Sequence, residues 1–173
     1  MQCGTVTTTL PGSKRHWRAS ARRGASLAYD TYLHHYRYPG APPDRVWAAV
    51  RDTERWSEWT PTIISIQRLD PGPLAVRTRA TVRQPKLLPA RWRITAIEEG
   101  RSCIWTTRAP GILVTACHSI HNASNGSRAT LSHDFSGPFG AFCAGLTRGI
   151  NAGYLAMEAR GLKKRAKADG ESR

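Results

Sequence analysis

The stretch SCIWTTRAPGILVTACHSIHNASNGSRATLSHDF, Ser102–Phe135, alternates polar and apolar residues through three segments and breaks only at APG and SNG. A period of two sends successive side chains to opposite faces of a strand. Breakers this short join antiparallel neighbours directly. Upstream the same period runs through TIISIQRL, AVRTRATVRQ and ARWRITAIEE, separated by DPGP and LLP, and EGR leads into SCIWTT. From Ile63 to Phe135 the chain therefore reads as six consecutive antiparallel strands.

Outside this block the pattern changes. TYLHHYRY, Thr31–Tyr38, reads as a further strand that stops at PGAPP. A helix is expected from Asp44, with Val46, Trp47 and Val50 on one face and Pro43 in the first turn, where a missing N–H costs little. ERWSEW reads as a second short helix, with Thr53 as its cap, Trp56 and Trp59 on one side, and Pro61 at its end. After SGPFG, Phe139, Phe142, Cys143, Leu146, Ile150, Tyr154 and Met157 recur every three or four residues, which predicts a long helix with one apolar face. Gly145, Gly149 and Gly153 recur at every fourth position of that helix. They either permit close packing or keep side chains out of a space beneath it. The expected fold class is α+β: a curved seven-stranded antiparallel sheet covered by the C-terminal helix, with two short helices closing one end.

The 173 residues suit a single domain. The net charge of +14 lies largely in the ends: residues 1–29 carry five basic groups and no acid, and residues 160–173 carry six against two. Such ends solubilise a chain more often than they read nucleic acid, and no helix-turn-helix, zinc-finger or RNP-like signature is present, so no specific nucleic-acid partner is expected. Arg77, Arg79, Arg83, Arg91 and Arg93 alternate with apolar residues and read as a solvated strand face. Residues 1–30 read as a basic, poorly ordered extension, 31–168 as the folded domain and 169–173 as a tail. No run reaches the roughly 18 unbroken apolar residues of a membrane span. Cys3, Cys103, Cys117 and Cys143 are widely spaced and form no CxxC pair, so no disulfide framework is expected and a cytoplasmic location fits best. No P-loop, dinucleotide fingerprint, HExxH or GxSxG occurs, and no cofactor is expected.

The run VWAAVRDTERWSEWTPTIISIQRLDPGP, Val46–Pro73, the later EEGRSCIWTTRAPG, Glu98–Gly111, and the SGPFG that opens the final helix resemble the START-like helix-grip superfamily, and within it the bacterial polyketide cyclase/dehydrase type. The resemblance covers about residues 31–168. It implies an apolar cavity between sheet and long helix that encloses a hydrophobic molecule such as a polyketide, lipid or aromatic metabolite. Members include lipid and hormone binders, aromatase/cyclases and co-chaperones, so fold alone does not choose among binding, catalysis and partner interaction.

Strand parity names the residues that would face such a cavity. The more apolar row of ILVTACHSIH holds Val114 and His118; the matching rows hold Leu131 and His133, and Cys103 and Trp105. Trp92 on ARWRITAIEE, Trp56 and Trp59 at the end plug, and Phe142, Leu146, Gly149 and Tyr154 on the long helix complete the expected lining. A two-residue turn at Asn125-Gly126 sets His118 opposite His133, and one at Pro110-Gly111 sets Cys103 opposite His118. The resulting row admits several chemistries: a hydrogen-bonded pair inside a ligand pocket, a His118–His133 acid/base pair for enolising a carbonyl, a Cys103 nucleophile, or a zinc site. The outer strands of the row lie about 9.6 Å apart, a long reach for one tetrahedral ion, and no metal is expected.

Overall fold

The computed structural model describes residues 30–171. One antiparallel sheet holds β1 (Asp30–Pro39), β2 (Ser65–Arg68), β3 (Arg79–Arg83), β4 (Ala90–Glu98), β5 (Ser102–Ala109), β6 (Ile112–Ala123) and β7 (Gly126–Ser136), in the order β1-β7-β6-β5-β4-β3-β2. Between β1 and β2 lie α1 (Pro43–Arg51), a 3₁₀ turn (Thr53–Arg55) and α2 (Trp56–Trp59), and the chain finishes in α3 (Gly140–Glu171). This is the expected helix-grip architecture. Short connections pair β2 to β7 with their sequence neighbours, and β1 joins the free side of β7.

Local chemistry explains the small helices. Pro43 opens α1, Asp44 sits in its first turn and Arg51 in its last, each suited to its end of the helix dipole. Its buried face is Val46, Trp47, Ala49 and Val50. The Trp47 indole N–H donates to Glu99 Oε1 at 3.0 Å, and Arg51 pairs with the same oxygen at 2.7 Å, tying α1 to the β4–β5 turn. Thr53 is not a cap: it lies inside the 3₁₀ turn, buried, and Asp52 precedes it without a side-chain capping bond. The chain turns there because Trp56 buries its ring and donates its N–H to the Val50 carbonyl at 3.1 Å.

Register decides which side chains meet. Across Pro110 and Gly111, Ala109 pairs with Ile112, so Cys103 lies opposite His118 as the tight turn requires. The β6–β7 hairpin departs from expectation. Ala123 pairs with Gly126 around Ser124 and Asn125, so His118 faces Leu131, and His133 faces Ala116. The cause is tertiary: Pro39 of β1 pairs with Gly126, Gly40 N donates to Asn125 O at 3.2 Å, and a Cβ on Gly126 would strike the Tyr38 carbonyl. Pairing with β1 thus draws Gly126, with φ +118°, into the ladder. The slip is two residues, so both histidines keep one face.

The face that α3 buries also differs from expectation. Ala144, Asn151, Leu155, Glu158, Leu162 and Ala166 are buried, whereas Phe139, Phe142 and Leu146 are exposed. At 100° per residue the buried line is rotated well away from the apolar stripe. Position on the sheet fixes it: Tyr32 of β1 donates to the Ala144 carbonyl at 2.8 Å, and Leu155 and Ala159 pack on Leu131 of β7. Gly161 lets α2 close on α3, because a Cβ there would collide with the Trp59 carbonyl. Cys103 and Cys143 are free, while Cys117 is disulfide-bonded. One bridge is not a framework, but it removes the cysteines as an argument for a reducing compartment. No helix among the described residues is long and apolar enough to cross a membrane.

Candidate functional site

Between the sheet and α3 lies a cavity of about 60 Å³ walled by Trp56, Ile63, Ile66, Val82, Trp92, Trp105 and Ala116, with Gln84, His118, His133 and Glu158 as its polar groups. Pleating explains the wall: Val82 and Trp92 are the inward residues between outward Arg83, Arg91 and Arg93. The volume holds a few waters or one small ring and falls short of the roughly 300–1,000 Å³ of a typical ligand site.

Glu158 of α3 organises the polar side. Its Oε1 lies 2.6 Å from His118 Nε2, and both side chains are buried, at 8% and 6% exposure. Burial alone would push the Glu158 carboxyl up, but the charge and hydrogen bond of His118, with a further contribution from His133, hold it below its ordinary value. An ionised carboxylate can only accept, so Nε2 of His118 carries the proton. Among the described residues, His118 Nδ1, Trp92 Nε1 and Trp105 Nε1 are buried without a hydrogen-bond partner. The edge of Trp56 closes on the imidazole, with ring centroids 5.0 Å apart.

His133 stands one rung away. Burial lowers its pKa, reinforced by the charge of His118, against upward pulls from Glu158, a hydrogen bond with Asn151, and Asp134. It is therefore neutral near pH 7. Burial drives the Cys103 thiol up to about 12, with the neighbouring Trp105 offsetting this only in part, so the thiol is inert as a nucleophile. The Cys103, His118, His133 row is broken by the β6–β7 register, and no group of three His, Cys, Asp or Glu among the described residues is placed to hold a metal ion.

Of the residues singled out from the sequence, Trp56, Trp92, Trp105, His118 and His133 stand on the cavity wall. Trp59 is half-buried behind Trp56, with ring centroids 5.6 Å apart. Cys103 and Leu131 are buried away from the cavity, and Val114 is half-buried. Tyr154 is buried with its hydroxyl donating to the Pro85 carbonyl. Phe142, Leu146 and Gly149 are exposed and do not line it, because α3 turns its Asn151–Glu158 side to the sheet. Sequence reasoning missed Glu158. Its one signal is that it is the sole carboxylate among residues 140–168.

Residues 36–167 match the family model described as polyketide cyclase / dehydrase and lipid transport. No curated protein matches the chain. Among solved structures, a point mutant of norcoclaurine synthase from Thalictrum is similar at 12% identity and a TM-score of 0.66, over 85% of this chain and 99% of that one. The di-domain ARO/CYC StfQ of the steffimycin biosynthetic pathway is similar at 10% identity and a TM-score of 0.65, over 83% of this chain and 52% of that one. Ara h 8.0201 is similar at 16% identity and a TM-score of 0.60, over 82% and 99% respectively. Likeness at these identities concerns the fold alone.

Proposed function

Because the chain belongs to the polyketide cyclase / dehydrase and lipid transport family, we propose that it holds a small hydrophobic molecule, or one ring of a larger one, between its sheet and α3. The carrying observation is the cavity wall itself: three indoles, from Trp56, Trp92 and Trp105, beside unpartnered polar atoms at His118 Nδ1 and Trp92 Nε1. Aromatic faces bury a planar apolar guest, while such orphaned atoms, Trp105 Nε1 included, cost free energy until a guest or water satisfies them. A guest with a single hydroxyl or carbonyl among apolar carbons suits this wall. The ionised Glu158 disfavours a carboxylate end buried beside it. A polyketide-sized guest enters only if α3 shifts from the sheet.

Native mass spectrometry of the freshly purified protein tests this reading. An organic mass that disappears on denaturation supports it. A bare protein whose tryptophan fluorescence is also unmoved by small phenols such as 2-naphthol overturns it.

A second reading is catalysis in the same cavity, favoured by the His118–Glu158 contact. With Nε2–H held by the carboxylate, Nδ1 is the His118 nitrogen left to exchange a proton with the carbon next to a carbonyl. The neutral His133 then donates a hydrogen bond to the enolate oxygen that forms before ring closure or loss of water, without giving up its proton. Cyclisation of a bound ketone at an unchanged rate in the His118→Ala, His133→Ala double variant would remove this reading and leave binding standing.

A further inference from the structure

The five most exposed large apolar side chains among the described residues are Leu88 at 89%, Leu146 at 75%, Phe142 at 71%, Ile64 at 59% and Phe139 at 57%. Topology gathers them at one end of the molecule. Ile64 N donates to the Arg83 carbonyl at 2.8 Å, where β2 begins and β3 ends. Leu88 lies in the connection from β3 to β4, which sits beside the β5–β6 turn because Trp92 at the start of β4 pairs with Thr107 near the end of β5. Phe139 N donates to the Gly111 carbonyl in that turn at 3.1 Å, and Phe142 and Leu146 follow on the first two turns of α3.

Charge at this end is predominantly basic, although Asp134 near the end of β7 and Asp30 at the start of β1 also lie there, paired with Thr115 and Phe135. Residues 60–69, 83–92, 106–114 and 136–157 contain no Asp or Glu, while Arg83, Lys86, Arg91 and Arg108 are exposed among them. Carboxylates collect at the other end, where Glu98 and Glu99 form the β4–β5 turn and Asp70 leads out of β2. Scattered exposed apolar residues need no explanation, but five gathered in a predominantly basic zone do.

We propose that this end docks on an anionic lipid bilayer, with Leu88, Phe142 and Leu146 entering the apolar boundary and Arg83, Arg91 and Arg108 lying against headgroup phosphates. Apolar insertion and basic attraction are each weak and reversible alone, and together they hold a protein at an interface. A second copy is disfavoured because like-charged faces repel, and a nucleic acid would leave the apolar residues in water. Ile63 and Gln84 reach the cavity wall from this same end. If the ligand-binding reading holds, a guest could pass between bilayer and cavity there; docking itself does not depend on that reading.

Sedimentation of the full chain with vesicles of phosphatidylcholine, alone or mixed with phosphatidylglycerol, tests the docking without any guest. The wild type is expected to pellet with the mixed vesicles only, and less as salt rises. The variant Leu88→Gln, Phe142→Gln, Leu146→Gln should bind about tenfold or more weakly while its melting temperature stays near that of the wild type. Arg83→Gln with Arg91→Gln should weaken binding and flatten its salt dependence. A wild type that ignores the mixed vesicles overturns the proposal. So does full binding by the apolar triple variant, which would identify general polyanion attraction, as to heparin or RNA, through the basic ends.

Discussion

The two halves of α3 invert the usual relation between polarity and burial. In the first, Phe142 and Leu146 stand in solvent at 71% and 75% exposure; in the second, Asn151 and Glu158 are buried at 6% each. A helix built only to cover a sheet would do the reverse. The second half holds its polar groups by pairing them, Glu158 with His118 and Asn151 with Thr147 and His133. The first half leaves Phe142 and Leu146 exposed among the described residues. Covering the core is therefore only part of what this helix does: one half carries a buried polar site and the other an exposed apolar edge.

The largest effect should come from breaking the pair in the second half. Glu158→Ala leaves His118 buried without its acceptor and should destabilise the fold by about 3–5 kcal/mol in a urea titration. Glu158→Gln retains an oxygen that accepts from Nε2 and should cost clearly less. Equal losses in the two variants would mean that the carboxylate's charge, rather than its hydrogen bond, is what the site requires.

Acid should act on the same half. His133 is neutral in the fold because burial lowers its pKa, yet it takes up a proton when unfolded below its ordinary value of 6.5. Its contribution is thus complete above about pH 6.5 and declines as the pH falls. Glu158, also depressed in the fold, contributes above its ordinary 4.5 and loses that contribution below it. Stability should fall from pH 7 to pH 4 in two overlapping steps. His133→Gln should flatten the upper one; an unchanged profile in that variant would show that His133 is not the group titrating there.

The fold was legible because its signals are local. Period two over each strand, Pro-Gly at the β5–β6 turn and a breaker at every junction name the sheet without reference to anything distant. The β6–β7 register was not legible, because Asn125-Gly126 is a good turn by itself and only the passage of β1 against Gly126 moves it. Trp92, Trp105, His118 and His133 could be placed on the inner face by parity alone, which survives a two-residue slip. Phe142 and Leu146 were misplaced, since a helical apolar stripe states which side is greasy but not which side the sheet will meet. Glu158 was invisible for the same reason: its partner is forty residues away and on another element.

Glycine substitutions probe the second half at smaller scale. Gly161→Ala drives a Cβ into the Trp59 carbonyl, a backbone atom that cannot swing aside, and should cost about 1–3 kcal/mol. Gly153→Ala meets no heavy atom within 4 Å and should stabilise α3 by about 0.5–1 kcal/mol, as alanine does in an open helix position. The smallest effect belongs to the exposed stripe. Leu146→Gln replaces an apolar side chain that is 75% exposed among the described residues, so its melting curve should stay within about 0.5 kcal/mol of wild type. A loss of 2 kcal/mol or more, the scale of about one buried leucine, would show that the first half of α3 is packed after all. The inversion between the halves, and the docking edge inferred from it, would then both fall.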